Sequence, residues 1–119
     1  MVNEPLFSGK VRKKADARNV AVTLNTNIFN ENLVPGYTPL AFFAIYAVFE
    51  DSGVLMVRRT FTDLPNTPTK TEVLNEGNNL AANAAYIFAV PISDNEEFNI
   101  WFSTNTIATK VTIIESQIE

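Results

Sequence analysis

The sequence predicts an all-β domain, an antiparallel and jelly-roll-like β-sandwich of seven or eight strands. Apolar residues recur at every second position over short segments, which is the period of a strand with one buried face. Turn-forming residues separate these segments at intervals typical of sandwiches and jelly rolls. With 119 residues, 46% of them hydrophobic, the chain is the size of one domain and has enough apolar side chains to fill a core.

The strands follow from this alternation in chain order. They are predicted at residues 20–24, 40–49, 54–61, 71–74, 84–92, 98–103 and 109–115. Between them, residues 50–53, 66–68, 75–78 and 94–95 contain the Gly, Pro, Asn and Asp that favour turns. Residues 50–53 are predicted to close a four-residue hairpin. Pro91 predicts an edge position or a bulge for its strand, because proline cannot donate a hydrogen bond to a neighbouring strand.

Residues 40–49 have a second interpretation. Thr38-Pro39 in front of them is typical of a helix start, so a helix is the alternative. The aromatic and β-branched residues of the segment suit a strand better. Glu50 and Asp51 would also lie at the negative end of the helix dipole, which is unfavourable. We therefore expect a strand.

This strand is apolar on both faces, with Phe43, Ile45, Ala47 and Phe49 on one and Phe42, Ala44, Tyr46 and Val48 on the other. The outer face of a sandwich normally meets water, so a second apolar face needs a cover. A loop or the N-terminal arm of the same chain is one candidate cover, and another subunit is the other. The contact surface predicted for the second case consists of Phe42, Tyr46, Val48 and Trp101.

Charge is distributed unevenly along the chain. The net charge is −4, yet the first eighteen residues contain five basic and two acidic residues. Residues 1–18 are predicted to be a basic N-terminal arm or edge strand, and residues 19–119 an acidic β-sandwich domain. Lysines at a strand edge prevent aberrant pairing, which is one interpretation. The other is an electrostatic tether to an acidic neighbour or a polyanion through Lys10, Arg12, Lys13 and Lys14.

Catalytic and metal-binding chemistry has few candidates in this chain, and we predict that it is not an enzyme and holds no cofactor. Histidine and cysteine are absent, which excludes the commonest general base, thiolate nucleophiles and disulfides. Neighbouring carboxylates are the remaining catalytic candidates; they are Glu50 with Asp51, Glu96 with Glu97, and Glu72 with Glu76.

The alternative function is a carbohydrate- or calcium-dependent binding module. Residues 94–97 are rich in the oxygen ligands that calcium prefers, although a polar turn explains them equally. Trp101 with Asn99 or Asn105 has the residue types of a lectin-like site. The net negative charge argues against nucleic-acid binding by the whole domain. No apolar run approaches the roughly 18 residues of a membrane span, and residues 1–9 lack the apolar core of a signal peptide.

The C-terminal half resembles small all-β virion structural proteins of phages and archaeal viruses. The resemblance is one of pattern and covers roughly residues 53–115. In this pattern, residues 71–92 form a unit of leucine, loop and apolar strand. Residues 53–60 form the strand before this unit, and residues 98–103 follow it in a hairpin. It implies a capsid decoration, spike or tail-associated protein present in many copies, and it supplies no catalytic residues. We therefore expect a structural subunit of a virion that forms a homo-oligomer or docks on a larger protein lattice.

Overall fold

The structure, a computed structural model, describes residues 10–118. Within this range the chain forms seven strands and one short 3₁₀ turn, Asn75–Gly77. The strands are β1 (Val11–Val22), β2 (Leu40–Phe49), β3 (Leu55–Phe61), β4 (Thr69–Val73), β5 (Tyr86–Ser93), β6 (Glu96–Phe102) and β7 (Thr106–Gln117). Residues 40–49 are thus a strand and not the alternative helix, and the predicted all-β fold is confirmed.

The strands form two antiparallel sheets that pack as a sandwich. Sheet A contains four strands in the order β1-β7-β2-β5, and sheet B contains three in the order β4-β3-β6. β2 lies in the middle of sheet A, where it pairs with both β7 and β5. β5 is an edge strand of sheet A, which is the first of the two alternatives that Pro91 indicated.

Aromatic side chains of β2 and β6 join the two sheets. Phe43 packs edge-on against Phe98 with 4.8 Å between the ring centroids, and Phe49 stacks on Phe102 at 3.9 Å. All four rings are buried, and they alternate along their strands with side chains that point outward. The core therefore lies between the inner faces that the alternation of the sequence predicts.

Residues 25–33 take the place of an eighth strand. Asn25 and Ile28 donate backbone hydrogen bonds to Phe102 and Ile100 of β6, and Leu33 exchanges two backbone hydrogen bonds with Phe98. With this segment included, sheet B has four members and the chain changes sheet at every connection except β3–β4. This is the strand order of a jelly roll.

The predicted hairpin at residues 50–53 is wrong. The strands that flank this turn, β2 and β3, belong to different sheets, so the turn carries the chain across the sandwich. Gly53 accepts a backbone hydrogen bond from Leu80 and donates one back, which pairs it with a loop instead of with β2. Acidic and glycine residues favour a turn, but they do not determine which sheet the next strand joins.

β1 begins at Val11 and pairs with β7 along its whole length, as the first strand of sheet A. Residues 11–18 are therefore an edge strand, and the predicted boundary between residues 18 and 19 falls inside it. Residues 1–9 lie outside the described residues. β1 ends at Val22, so Leu24 does not continue the alternation and its side chain is exposed, contrary to the sequence prediction.

We expect Leu33→Ala to destabilise the fold, because Leu33 is 2% exposed and fixes residues 25–33 on β6. Removing a buried leucine side chain costs about 2–5 kcal/mol. Leu24→Ala is the matched control: Leu24 is 43% exposed, and its replacement should change the free energy of unfolding by less than about 0.5 kcal/mol. Urea unfolding measures both values, and equal effects of the two substitutions would contradict this role for residues 25–33.

Candidate functional site

The outer face of sheet A is a largely apolar surface, which we call the apolar face. Three adjacent strands contribute to it, because outward positions of β7, β2 and β5 lie side by side in the pairing register. Its members are Phe42, Ala44, Tyr46 and Val48 on β2, Ile87, Ala89 and Pro91 on β5, and Ile114 on β7. Three of the predicted contact residues, Phe42, Tyr46 and Val48, therefore lie together.

Exposure increases from the centre of the apolar face to its edge on β5. The outward side chains of β2 are half-buried by their neighbours in the sheet, whereas Ile87 is 68% exposed. Lys110 lies beside Tyr46, with its ammonium nitrogen 5.6 Å from the ring centroid. Exposed apolar side chains that are contiguous over several strands are typical of interaction sites.

Charged residues of both signs border the apolar face on β1. The Asp16 carboxylate accepts a hydrogen bond from the Thr112 hydroxyl at 2.8 Å and forms ion pairs with Arg18 at 2.9 Å and Lys13 at 3.7 Å. The hydrogen bond from Thr112 is the main cause that lowers the pKa of Asp16, and both cations lower it further. Asp16 is therefore ionised at neutral pH, and the border carries both signs of charge.

Two of the four basic residues predicted as a tether bind a buried carboxylate of their own chain. The side chain of Glu115 is fully buried, and its carboxylate lies 3.1 Å from Arg12 Nε and 3.7 Å from Lys14 Nζ. β1 has a bulge at Lys14, which changes the alternation of the strand. Arg12 and the bulge residue Lys14 face Glu115, and after the bulge Ala15 and Ala17 face the core.

The same carboxylate also binds the backbone of the segment before β2. Gly36 and Tyr37 donate their backbone N–H groups to Glu115 at 2.7 and 2.9 Å. The Arg12 guanidinium stacks on the Tyr37 ring with 4.6 Å to the centroid. A Cβ atom at Gly36 would lie 1.1 Å from an Arg12 guanidinium nitrogen, so glycine permits this close approach.

The other two predicted tether residues remain at the surface. Lys13 is exposed, and its one ion pair within residues 10–118 is with Asp16 at the border of the apolar face. Lys10 is exposed, and within residues 10–118 its side chain makes no ion pair. The structure therefore separates the four residues into two that hold Glu115 and two that are accessible to a partner.

Trp101 lies on the opposite side of the molecule from the apolar face. It belongs to β6 of sheet B and points outward, so it does not join Phe42, Tyr46 and Val48. Its indole N–H donates to Asn99 Oδ1 at 2.9 Å, and the Arg58 guanidinium lies 4.3 Å from its ring centroid. Asn105 is not part of this group, because its Oδ1 accepts a hydrogen bond from the backbone of Leu24.

The carboxylate pairs considered for catalysis or calcium do not converge. Glu72 and Glu96 each bind Arg59, at 2.6 and 2.9 Å, and Glu96 also accepts a hydrogen bond from Ser93. Glu97 accepts a hydrogen bond from Asn32 on the outer surface of sheet B. Within residues 10–118, no group of three or more acidic side chains is placed to hold a metal ion.

A cleft of about 340 Å³ lies between β1 and residues 28–30. Ala17, Val20, Ile28 and Phe29 line it together with the ion pair of Asp16 and Arg18. Because its one carboxylate is already bound by Arg18 and Thr112, the cleft contains no free acid or base.

No protein-family model matches the chain, and no characterised protein matches its sequence. In the described part of the chain, no helix has the length and apolar character needed to cross a bilayer.

We expect Glu115→Gln to destabilise the protein, because it removes the charge that Arg12 and Lys14 neutralise inside the fold. Breaking a buried ion pair from one side costs about 3–5 kcal/mol, and the partial exposure of Arg12 places the expected loss near 3 kcal/mol. Glu31→Gln, at an exposed position, is the control and should change stability by less than about 0.5 kcal/mol. Chemical unfolding of both variants measures the difference, and a loss below about 1 kcal/mol for Glu115→Gln would contradict the structural role.

Proposed function

We propose that this chain is a non-enzymatic structural protein that self-associates through the apolar face, as a virion component of the capsid-decoration or spike type. The observation that carries the proposal is the difference between the two outer surfaces of the sandwich. Among the described residues, the outward side chains of β2 and β5 in sheet A are apolar, whereas the outward positions of sheet B are mostly polar. The N-terminal residues 1–9, one of the candidate covers, lie outside the described range. An antiparallel sheet that faces water on its outer side normally alternates toward polar residues.

The size of the apolar face fits the centre of a protein–protein interface. From Phe42 to Val48 it extends about 20 Å along β2, and it is three strands, or about 15 Å, wide. A standard interface buries about 800 Å² on each partner, with an apolar centre and a polar border. The surrounding Lys13, Asp16, Arg18 and Lys110 supply such a border.

A second copy of the chain is the partner that this surface fits best. In a twofold-symmetric contact the same patch of each copy meets the other, so the patch must complement itself. Apolar side chains at the centre meet this condition. The charged border also complements itself, because Asp16 of one copy can pair with Lys13 or Arg18 of the other copy across a twofold axis.

The non-enzymatic part of the proposal is supported by composition and by the ion pairs. The chain contains no histidine or cysteine. Glu72, Glu96 and Glu115 are each bound by arginine or lysine side chains of the same chain, which stabilise the fold. A catalytic carboxylate needs room for a substrate beside it.

The virion part of the proposal is supported by the sequence resemblance over residues 53–115 and by the strand order. Jelly rolls build many viral capsid domains, although lectins and cupins share the same order. Because a fold does not by itself imply a function, the resemblance and the apolar face carry this part together. Self-association is the component that can be measured on the purified chain.

We expect Ile87→Lys to prevent self-association, because it places a charge in the most exposed apolar position of the apolar face. The dissociation constant should rise at least tenfold, or about 1.4 kcal/mol. Val73→Lys is the matched control, since Val73 is 48% exposed on a strand of sheet B. Light scattering behind size exclusion gives the masses; a monomeric wild-type protein at high concentration, or equal effects of both variants, would contradict the proposal.

We also expect self-association to weaken as salt rises from low to physiological concentration, because Lys10 and Lys13 act as the electrostatic tether to an acidic neighbour. Exposed charges are screened over about 8–10 Å under these conditions. Replacing both lysines by glutamine should reduce the salt dependence of the dissociation constant while leaving the fold unchanged. An assembly that is equally strong at low and high salt would remove the tether and leave the apolar contact.

A further inference from the structure

Arg58 is the one arginine of this chain that the described residues leave without a carboxylate partner. Of the four arginines, Arg12, Arg18 and Arg59 each form an ion pair. Within residues 10–118, the side chain of Arg58 donates no hydrogen bond, and its Nε atom is buried without an acceptor. The adjacent Arg59 shows the contrast: it points to the inner side of sheet B, where it binds both Glu72 and Glu96.

The guanidinium of Arg58 is held in place by the ring of Trp101. It lies 4.3 Å from the ring centroid, and Met56 and Trp101 are direct partners in the register of β3 and β6. A chain of hydrogen bonds fixes the ring: the Trp101 N–H donates to Asn99, the Asn99 amide donates to Asn32, and the Asn32 amide donates to Glu97. A guanidinium stacked on a fixed indole loses little freedom when it binds an anion.

The side chains on both sides of Arg58 are neutral and polar. In the pairing register Arg58 lies between Asn99 on β6 and Thr71 on β4, and cross-strand neighbours are about 5 Å apart. Thr60 and Thr69 follow on the same outer face and contact each other through their hydroxyl groups. An anion bound at Arg58 would therefore meet amide and hydroxyl groups beside the cation. The one carboxylate of this face on β6, Glu97, lies opposite Thr60 and accepts a hydrogen bond from the Asn32 amide.

We propose that this outer face of sheet B is a binding site for a carboxylate-bearing saccharide, with Arg58 as the carboxylate ligand and Trp101 as its support. A guanidinium presents paired N–H donors that match the two oxygens of a carboxylate. The flanking amide and threonine hydroxyl groups form hydrogen bonds of the kind that sugar hydroxyls make. The site lies on the opposite side of the sandwich from the apolar face, so it is independent of self-association.

An acidic protein surface fits this face less well than a saccharide does. The centre of a protein–protein interface is apolar, and that character belongs to sheet A in this molecule. The five residues of β4 are all exposed, and polar residues predominate among them. A polar ligand that carries a carboxylate matches the chemistry of this surface.

The chain contains a built-in reporter for this site, because Trp101 is its only tryptophan. We expect sodium glucuronate to change the Trp101 fluorescence in a saturable manner at constant ionic strength. Glucose at the same concentrations should produce no change, because it lacks the carboxylate. Glucuronate should also raise the thermal midpoint of unfolding, since a ligand that binds only the native state stabilises it.

Variants of the full chain identify the residue responsible. Arg58→Gln should weaken glucuronate binding about tenfold or more, which is the expected loss of a charge-assisted pair. Arg58→Lys keeps the charge without the paired donors and should bind with intermediate affinity. Lys70→Gln, which removes an exposed cation of β4 that lies opposite Arg59 in the pairing register, is the control and should bind like the wild-type protein. Thermal shift serves as the second readout, because it does not depend on the altered environment of Trp101.

Three results would overturn the proposal. One is an equal response to glucose and glucuronate, or no response to either. Another is unchanged glucuronate affinity in Arg58→Gln, shown by thermal shift on a variant that unfolds cooperatively. The third is tighter binding of a short glutamate peptide than of glucuronate, which would assign the site to acidic protein segments instead of saccharides.

Discussion

The buried carboxylate of Glu115 is the constraint on which the arrangement of sheet A depends. A charge without access to water is stable only when charged and hydrogen-bonding partners surround it. Its partners come from β1 and from the segment that precedes β2, and Arg12 lies 103 residues away in the sequence. A single side chain on β7 thus fixes the first strand and the entry into the central strand. The bulge at Lys14 follows from the same requirement, because it directs two cations inward without exposing the alanines that follow them.

The two surfaces of the sandwich are chemically different, and the difference originates in β2. A central strand with apolar residues on both faces supplies the core on one side and an apolar outer surface on the other. β3 and β6 of sheet B show the opposite arrangement, in which outward positions hold Arg58, Asn99 and Glu97. The molecule therefore presents an apolar surface on one side and a polar, cation-centred surface on the other. The two proposed roles do not compete for the same residues.

The sequence alone predicts those structural features that are determined by residues close together in the chain. Alternation is a local property, so the strands, the inner faces of β2 and β6 and the edge position of Pro91 were all predictable. Residues 25–33 have no such alternation, and only their backbone hydrogen bonds to β6 reveal their place in sheet B. The turn at residues 50–53 was predictable as a turn but not as a crossing between sheets, because turn residues carry no information about the next pairing.

The candidate sites, too, were predictable only where their residues are close together in the sequence. The doubly apolar strand indicated the apolar face, since its residues are adjacent in the sequence. The pairing of Arg12 and Lys14 with Glu115 was not predictable, because nothing near either residue in the sequence identifies a partner so distant. Arg58 and Arg59 are adjacent residues of the same type. Because successive side chains of β3 point to opposite faces of the sheet, Arg59 forms ion pairs and Arg58 packs on the indole of Trp101. Trp101 was placed with the wrong neighbours because strand patterns do not identify which sheet a strand joins.

The pairing of β1 with β7 also has a consequence for how the chain is made. The ribosome releases β1 long before β7, and β7 is the strand that joins β1 to β2 in sheet A. During that interval the residues of β1 have no partner strand, and unpaired strand-forming segments are prone to associate with other chains. Its lysine and arginine residues keep such a strand in water and discourage aberrant pairing. The same cations that later neutralise Glu115 thus protect the newly made chain while their partner has not yet been synthesised.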